Sequence, residues 1–180
     1  MIHFSVNYSA RTSLHISGEI QINCSKEKLW KIISEPGHLE NYHPFCEYHR
    51  SEKWDGVGST DESKSYYGKI IKREVISWDE GKGYQIRMLE INHNTKVKFE
   101  IYEKSGLTHL KVWLISDAYR NNPRPIWFFL APLIIVPSYK KYFNSLLKGL
   151  KFFTETGQKV ERNQFGHHSK YSPKIPDGDN

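Results

Sequence analysis

Cysteine is scarce in this sequence, which has only two, Cys24 and Cys46, among its 180 residues. Two cysteines are too few for the disulfide framework of a small secreted domain, so we expect a reduced, cytoplasmic setting. The N-terminus lacks the basic start and the uninterrupted apolar core of a signal peptide. The longest apolar stretch, residues 126–136, is interrupted by Pro132 and is too short to span a bilayer.

Motifs that carry catalysis are also missing. The sequence has no glycine-rich phosphate loop, no G-x-S-x-G nucleophile elbow and no paired histidine and acidic motif. An acid–base pair would have to be assembled from distant strands, for which the candidates are Glu90, Asp61, Tyr67, Arg87 and His43. Alternation puts Arg87 and Glu90 on opposite faces of a strand, which weakens that pair. The sequence therefore leaves an enzyme open without assigning a catalytic residue.

Acidic residues are outnumbered, because 26 Lys and Arg accompany 20 Asp and Glu and give a net charge of +6. The basic residues are spread along the chain rather than gathered in a dense run. This distribution favours acidic partners or anionic lipid, and we expect no nucleic-acid partner. The apolar fraction is 38% and the mean hydropathy is −0.65, which predicts no integral membrane protein. The length suits one domain with a sizeable core.

A long amphipathic helix is the clearest positive feature. Over residues 138–156, apolar side chains recur at three- and four-residue steps: Tyr139, Phe143, Leu146, Leu147, Leu150 and Phe153. This spacing predicts a helix of about five turns with one buried stripe. Pro137 lies near its first turn, and Gly157 is positioned to cap its end.

Alternating strand patterns occupy most of the remaining chain. Residues 15–22 read as a half-buried strand, after which Ser25 is a suitable N-cap for a short helix over residues 26–34. Residues 39–42 can form one further helical turn. Turn signals about every ten residues then separate six predicted strands: residues 45–53, 59–69, 70–78, 84–91, 96–103 and 107–118. Such spacing is typical of an antiparallel sheet.

The order of these elements resembles the SRPBCC superfamily, which includes START lipid-binding domains, the birch-pollen-allergen family and polyketide cyclase/dehydrase-like proteins. Residues 20–33, IQINCSKEKLWKII, look like the opening of that superfamily, where a strand meets a helix carrying a Leu-Trp pair. Residues 39–44 resemble the leucine, aromatic residue and proline that follow, and residues 56–59 resemble its glycine turn. The resemblance covers roughly residues 14–157. One departure is His43, because a tryptophan is frequent before that proline.

The resemblance implies an α+β helix-grip fold, in which a curved antiparallel sheet of about six to seven strands wraps around a long C-terminal helix. Two short helices follow the first strand. The implied domain is residues 14–160, with residues 1–13 as an N-terminal extension and residues 161–180 as a mobile tail. Members of the superfamily typically hold an apolar or aromatic small molecule between the sheet and the long helix.

Alternation and helical spacing predict the lining of such a cavity. The candidates are Asp61, Ser63, Ser65, Tyr67, Tyr84, Ile86, Met88, Glu90, Val97, Phe99, Ile101, Leu110, Val112, Leu114, Phe143, Leu146, Leu147 and Leu150. The first four would make one end of the cavity polar, which suits an amphiphilic ligand. The alternative is that the aliphatic residues simply fill a core. For Asp61 and Glu90 the alternative is a strand-end position in water.

Four possible zinc ligands lie within twelve positions: His38, His43, Cys46 and His49. On an extended strand His43 and His49 would share a face while Cys46 points to the other, and the spacing matches no usual ligand pair. We therefore expect no metal and no cofactor. His43 is a candidate for the cavity mouth, where it could hydrogen-bond a ligand, although a surface histidine is the simpler interpretation.

The apolar segment over residues 124–137 is the second candidate for the cavity mouth, through Trp127 and Phe128. Flanking cations would suit insertion at an anionic membrane face. The alternative is a lid packed on the core. Three functions remain open: a binding or carrier protein for a hydrophobic or amphiphilic molecule, lipid-like or polycyclic; a cyclase or dehydratase-type enzyme; and a non-catalytic interaction module.

Overall fold

A run of antiparallel strands followed by one long helix makes up the chain. The computed structural model describes residues 1–9, 13–89, 94–118 and 131–174, and its elements are given for these. The strands are β1 (Ile2–Ser9), β2 (Ser13–Ile22), β3 (Cys46–Lys53), β4 (Thr60–Ser65), β5 (Ile70–Asp79), β6 (Gly83–Met88), β7 (Thr95–Lys104) and β8 (Leu107–Ser116). The helices are α1 (Lys26–Ser34), α2 (Leu39–Tyr42) and α3 (Val136–Thr156), and a π-helical turn (Ala131–Ile135) leads into α3.

The described strands join one antiparallel sheet in the order β1-β2-β8-β7-β6-β5-β4-β3. Neighbours in this order are also neighbours in sequence, except where β2 pairs with β8. The two short helices connect β2 to β3, which lies at the opposite edge of the sheet from β1. This is the predicted α+β helix-grip arrangement, with one strand more than the six to seven expected.

The additional strand is β1, which lies within the predicted N-terminal extension over residues 1–13. β1 pairs with β2 along its whole length, from Ile2 opposite Ile20 to Ser9 opposite Ser13. Ile2, Phe4 and Val6 alternate with exposed residues and pack against the hydrophobic core. A period of two on a half-covered sheet edge is sufficient reason for a strand here.

Helix α1 forms where capping and periodicity predict it. The Ser25 hydroxyl accepts a hydrogen bond from the Lys28 backbone N–H at 3.2 Å, which satisfies one of the free donors of the first turn. Leu29, Trp30 and Ile33 form the buried side. The predicted turn at residues 39–42 is α2.

The second half of helix α3 packs closely against the sheet and against α2. A Cβ atom on Gly18 of β2 would lie 2.9 Å from Leu147 Cδ1, and one on Gly149 would lie 2.1 Å from the Tyr42 carbonyl oxygen. Glycine at these two positions lets the helix approach the sheet and α2 without a gap. Gly157 ends the helix in the left-handed conformation at φ 73°, as predicted. No helix within the described residues has the length and apolarity needed to cross a bilayer.

Residues 158–174, here called the C-terminal segment, fold back along α3. The Val160 N–H donates to the Asn41 carbonyl at 2.9 Å, and the Ser145 hydroxyl donates to the Phe165 carbonyl at 2.9 Å. The Tyr67 N–H donates to the Tyr171 carbonyl at 3.0 Å. The predicted tail from residue 161 is thus joined to the rest of the protein by hydrogen bonds, its mobility stays a prediction, and residues 175–180 lie outside the described part.

Candidate ligand-binding site

The inner face of the sheet and the stripe of α3 form one hydrophobic core. It contains twelve of the predicted cavity residues, each at most 7% exposed: Tyr84, Ile86, Val97, Phe99, Ile101, Leu110, Val112, Leu114, Phe143, Leu146, Leu147 and Leu150. Met88 packs against this core. The inward orientation of these faces is confirmed. Whether the residues also line a ligand cavity stays a prediction.

A charged cluster is buried beside this core, on the side of β4 and β5. Asp61 lies directly opposite Arg73 in the sheet register. Its carboxylate accepts two hydrogen bonds from the Arg73 guanidinium, Nε to Oδ1 and Nη2 to Oδ2, each 2.7 Å long. His49 Nε2 lies 2.8 Å from Asp61 Oδ2. Asp61 is 5% exposed, so the alternative of a strand-end carboxylate in water is wrong.

His49 contacts both members of this ion pair. Its Nε2 lies 2.8 Å from Asp61 Oδ2 and 2.9 Å from Arg73 Nη2, and its Nδ1 lies 3.3 Å from the Leu39 backbone nitrogen. Burial lowers the pKa of His49 and keeps the ring neutral at pH 7. Burial alone would raise the pKa of Asp61, but the Arg73 charge and the hydrogen bonds hold it below its usual value. Asp61 and Arg73 therefore form a buried ion pair in which the two charges neutralise each other.

His43 and Tyr142 form a second buried pair between α2 and α3. His43 Nδ1 accepts from the Phe45 N–H at 3.1 Å, so Nε2 carries the proton and donates to the Tyr142 hydroxyl oxygen at 2.7 Å. Burial lowers the pKa of His43 to about 3 and raises that of Tyr142. Because Tyr142 accepts from His43, its own hydroxyl hydrogen can be directed toward a ligand. His43 is only 8% exposed, so the interpretation as a surface histidine is wrong.

The other possible zinc ligands also serve the fold. His38 Nδ1 donates to the Glu35 carbonyl at 2.7 Å, and its ring contacts the His49 ring at a centroid distance of 4.8 Å. The Cys46 thiol donates to the Tyr48 carbonyl, and burial raises its pKa to about 12. Within the described residues, no three histidine, cysteine or acidic side chains are grouped to hold a metal ion.

A small cavity, here called the inner pocket, lies between β4, β5, α2 and α3. Its volume is about 40 Å³. Its polar lining includes Ser63, Ser65, Arg73, His43 and Tyr142. This space is enough for about two or three waters or for one small polar group of a ligand. It brings together three predicted cavity residues, Ser63, Ser65 and Met88, with the predicted mouth residue His43.

A larger cavity of about 400 Å³, here called the outer pocket, lies at the N-terminal end of α3 against the C-terminal segment. Its apolar and aromatic lining consists of Ile134, Ile135, Pro137, Tyr139, Tyr142 and Tyr171. Its polar lining consists of Ser138, Lys141, His167, His168, Ser169 and Lys170. Sequence patterns do not predict this pocket, because the C-terminal segment has no periodicity.

Tyr142 and Tyr171 line both pockets, with ring centroids 5.0 Å apart, and together separate them. The C-terminal segment is held at this point by His168, whose Nδ1 accepts from the Lys170 N–H at 3.3 Å. Its Nε2 proton therefore donates toward Ser138, 3.2 Å from both the hydroxyl and the carbonyl oxygen. Among the described residues, Tyr142 and Tyr171 are therefore shared by the linings of the inner and outer pockets.

One predicted cavity residue, Tyr67, is wrongly assigned, and three others are not described. Tyr67 is 65% exposed, because β4 ends at Ser65 and the chain turns at Gly68, whose φ is 82°. Its side chain therefore does not line a cavity. Glu90, Trp127 and Phe128 lie outside the described residues.

An antiparallel sheet wrapped around a long C-terminal helix, with two short helices between its second and third strands, defines the helix-grip fold. Solved structures with this architecture resemble the chain. A START superfamily protein from Mycobacterium smegmatis matches with a TM-score of 0.60 and 15% identity, covering 80% of this chain and 99% of that one. The allergen Ara h 8.0201 matches with a TM-score of 0.61 and 12% identity, over 80% and 99%.

A norcoclaurine synthase from Thalictrum, solved with a transition-state analogue, matches with a TM-score of 0.60 and 13% identity, over 83% of this chain and 99% of that one. No protein-family model and no curated protein sequence matches the chain. At these identities the likeness establishes the fold alone. The predicted resemblance to the SRPBCC superfamily is therefore confirmed in its fold.

Proposed function

We propose that this protein binds or carries a hydrophobic or amphiphilic small molecule, lipid-like or polycyclic, at the N-terminal end of α3. The observation that carries the proposal is the outer pocket, whose volume of about 400 Å³ lies within the range of small-molecule sites, roughly 300–1,000 Å³. Its apolar and aromatic wall suits the body of such a ligand. At Gly18 and Gly149, by contrast, the second half of α3 packs so closely that an added Cβ atom would meet Leu147 Cδ1 at 2.9 Å and the Tyr42 carbonyl oxygen at 2.1 Å.

The inner pocket supplies the polar end of the site. Ser63, Arg73 and Tyr142 line it, and the Tyr142 hydroxyl can donate to a ligand oxygen. A ligand whose body lies in the outer pocket would reach these groups by displacing the Tyr142 and Tyr171 rings from each other. The combination of an apolar body site and a few convergent polar groups is typical of small-molecule binding sites.

A cyclase or dehydratase-type enzyme in the same site is the second candidate. His43 and Tyr142 are two hydrogen-bonded titratable groups that line the inner pocket. However, burial lowers the pKa of His43 to about 3 and raises that of Tyr142, so both stay neutral at pH 7. A general acid or base works best with a pKa near the working pH. The pair is therefore better suited to hydrogen-bond a ligand than to transfer a proton.

Native mass spectrometry of the purified protein, followed by denaturation and solvent extraction, tests the proposal. We expect a stoichiometric apolar molecule to leave the protein on unfolding. Ser169→Trp would fill the outer pocket and should abolish this retention, whereas Gln158→Trp, on an exposed part of the same segment, should not. A bare wild-type chain that also fails to bind added fatty acids and polycyclic probes would contradict the proposal and would favour the interaction module.

Peripheral contact with an anionic membrane is a further part of the proposal. Leu133 and Ile134, just before α3, are 74% and 60% exposed, and the exposed Lys140 and Lys141 follow within two turns. Exposed aliphatic residues beside cations favour an anionic lipid surface. The double variant Leu133→Ser and Ile134→Ser should lose flotation with phosphatidylcholine–phosphatidylserine vesicles at unchanged Tm. Val57→Ser, at a residue 68% exposed elsewhere, is the control. Equal flotation of all three proteins would refute the contact.

A further inference from the structure

The outer pocket has an uneven distribution of charge. Two lysines, Lys141 and Lys170, and His167 line it, and none of the described residues in its lining is acidic. Lys141 and Lys170 are exposed, and neither ammonium group has an ion-pair partner among the residues that the structure describes. Elsewhere on the surface, lysines do pair with carboxylates, as Lys64 does with Glu47 at 2.8 Å.

Both lysines affect the pKa of His168. His168 lines the same pocket and is buried, and burial lowers its pKa. The positive charges of Lys141 and Lys170 lower that pKa further, although the hydrogen bond to Ser138 opposes the shift. The positive potential at the pocket therefore already disfavours a second cation there. It favours an anion for the same reason.

The remaining lining restricts what kind of anion fits. The aromatic rings of Tyr139, Tyr142 and Tyr171 face the same cavity as the two ammonium groups. A small inorganic anion would leave this apolar wall in water, whereas a neutral hydrocarbon would leave the two lysines without a counter-charge. An amphiphile can contact the aromatic rings with its apolar body and the two ammonium groups with its charged group.

From this arrangement we infer that the ligand of the outer pocket is an amphiphile with an anionic group, a carboxylate, sulfonate or phosphate, that binds between Lys141 and Lys170. Ser138 and Ser169 belong to the same lining, and their hydroxyl groups can donate to the oxygens of the anion. The inference rests on the proposed function, because it names the charge of the molecule that the pocket carries.

Two fluorescent probes with the same aromatic body test the inference. Anilinonaphthalene sulfonate is anionic, and N-phenylnaphthylamine lacks the sulfonate. We expect the wild-type protein to bind the anionic probe about tenfold more tightly at low salt, with the preference decreasing as salt is added. The double variant Lys141→Gln and Lys170→Gln should bind both probes within about twofold. Lys140→Gln combined with Lys148→Gln, which removes the same charge outside the pocket, should keep the preference.

The possible failures are distinguishable. Equal binding of both probes to the wild-type protein would overturn the anionic inference and leave the proposed carrier function intact. A preference that survives in the Lys141/Lys170 variant would overturn the assignment to this pocket. Binding of neither probe would overturn the inference and the proposed function together. Displacement of the bound sulfonate by monomeric dodecanoate identifies a single-chain anion, whereas displacement by a short-chain phosphatidic acid alone identifies a phospholipid, and each supports the inference.

Discussion

The buried His43 should make the stability of the protein depend on pH in a way that one substitution can isolate. Its pKa falls from 6.5 to about 3 on folding because of burial. The unfolded chain therefore takes up a proton first as the pH falls. The stabilisation is fully present above about pH 6.5 and is lost as the pH decreases toward about 3. At about 1.4 kcal/mol per pKa unit the whole effect is about 5 kcal/mol.

Between pH 7 and pH 5, about 2 kcal/mol of that stabilisation should disappear. His43→Gln cannot titrate, and it loses the hydrogen bonds to Phe45 and Tyr142, so at pH 7 it should be about 1–3 kcal/mol less stable than the wild type. At pH 5 this difference should shrink by about 2 kcal/mol.

Urea unfolding at both pH values, followed through the five tryptophans, measures the two differences. His49, His168 and Asp61 titrate in both proteins, so their contributions cancel in the comparison. A free-energy difference between wild type and His43→Gln that is the same at pH 7 and pH 5 would refute the reasoning, because it would mean that His43 is solvated in the folded protein.

Three further substitutions test the packing. Asp61→Asn leaves the Arg73 charge buried without its counter-ion and should cost about 3–5 kcal/mol in urea unfolding; a cost below about 1 kcal/mol would mean that the ion pair is solvated. Gly149→Ala puts a Cβ against the Tyr42 carbonyl and should lower Tm by about 2–12 degrees; an unchanged Tm would mean that α3 can move away from α2. Leu150→Ala, in the buried stripe of α3, should cost about 2–5 kcal/mol, and a loss under about half a kcal/mol would contradict its burial.

Much of the fold could be predicted because its signals are local. Ser25 and the Leu-Trp pair predict α1, and the three- and four-residue spacing from Phe143 to Leu150 predicts the buried stripe of α3. The alternation of Ile2, Phe4 and Val6 also indicates a strand. However, β1 is an edge strand, and its place in the sheet depends on pairing with β2. Local pattern predicts such an edge poorly, because burial on one side is only partial.

The charged cluster could not be predicted from β4 alone. Asp61 has the pattern of a strand-end residue, and only the opposite strand explains its burial. A usable signal was nevertheless present, since Arg73 alternates with the buried Val75 on β5 and therefore points inward. A guanidinium on an inner face requires a buried acid on a neighbouring strand, and Asp61 is its cross-strand partner.

The outer pocket depends on the C-terminal segment, which has no periodicity. Its position follows from a few long-range hydrogen bonds, from Ser145 to Phe165 and between His168 and Ser138. Such hydrogen bonds cannot be predicted from the spacing of apolar residues. The same segment contributes Tyr171, Lys170 and His168 to the outer pocket, so local sequence patterns could not predict this cavity.

A crystal structure of the protein with anilinonaphthalene sulfonate at saturation tests the proposed site most directly. We expect electron density for the aromatic body in the outer pocket, against the Tyr142 ring, with the sulfonate between Lys141 and Lys170. A probe bound instead between the sheet and the second half of α3, or a pocket that remains empty at saturation, would contradict the proposed binding site.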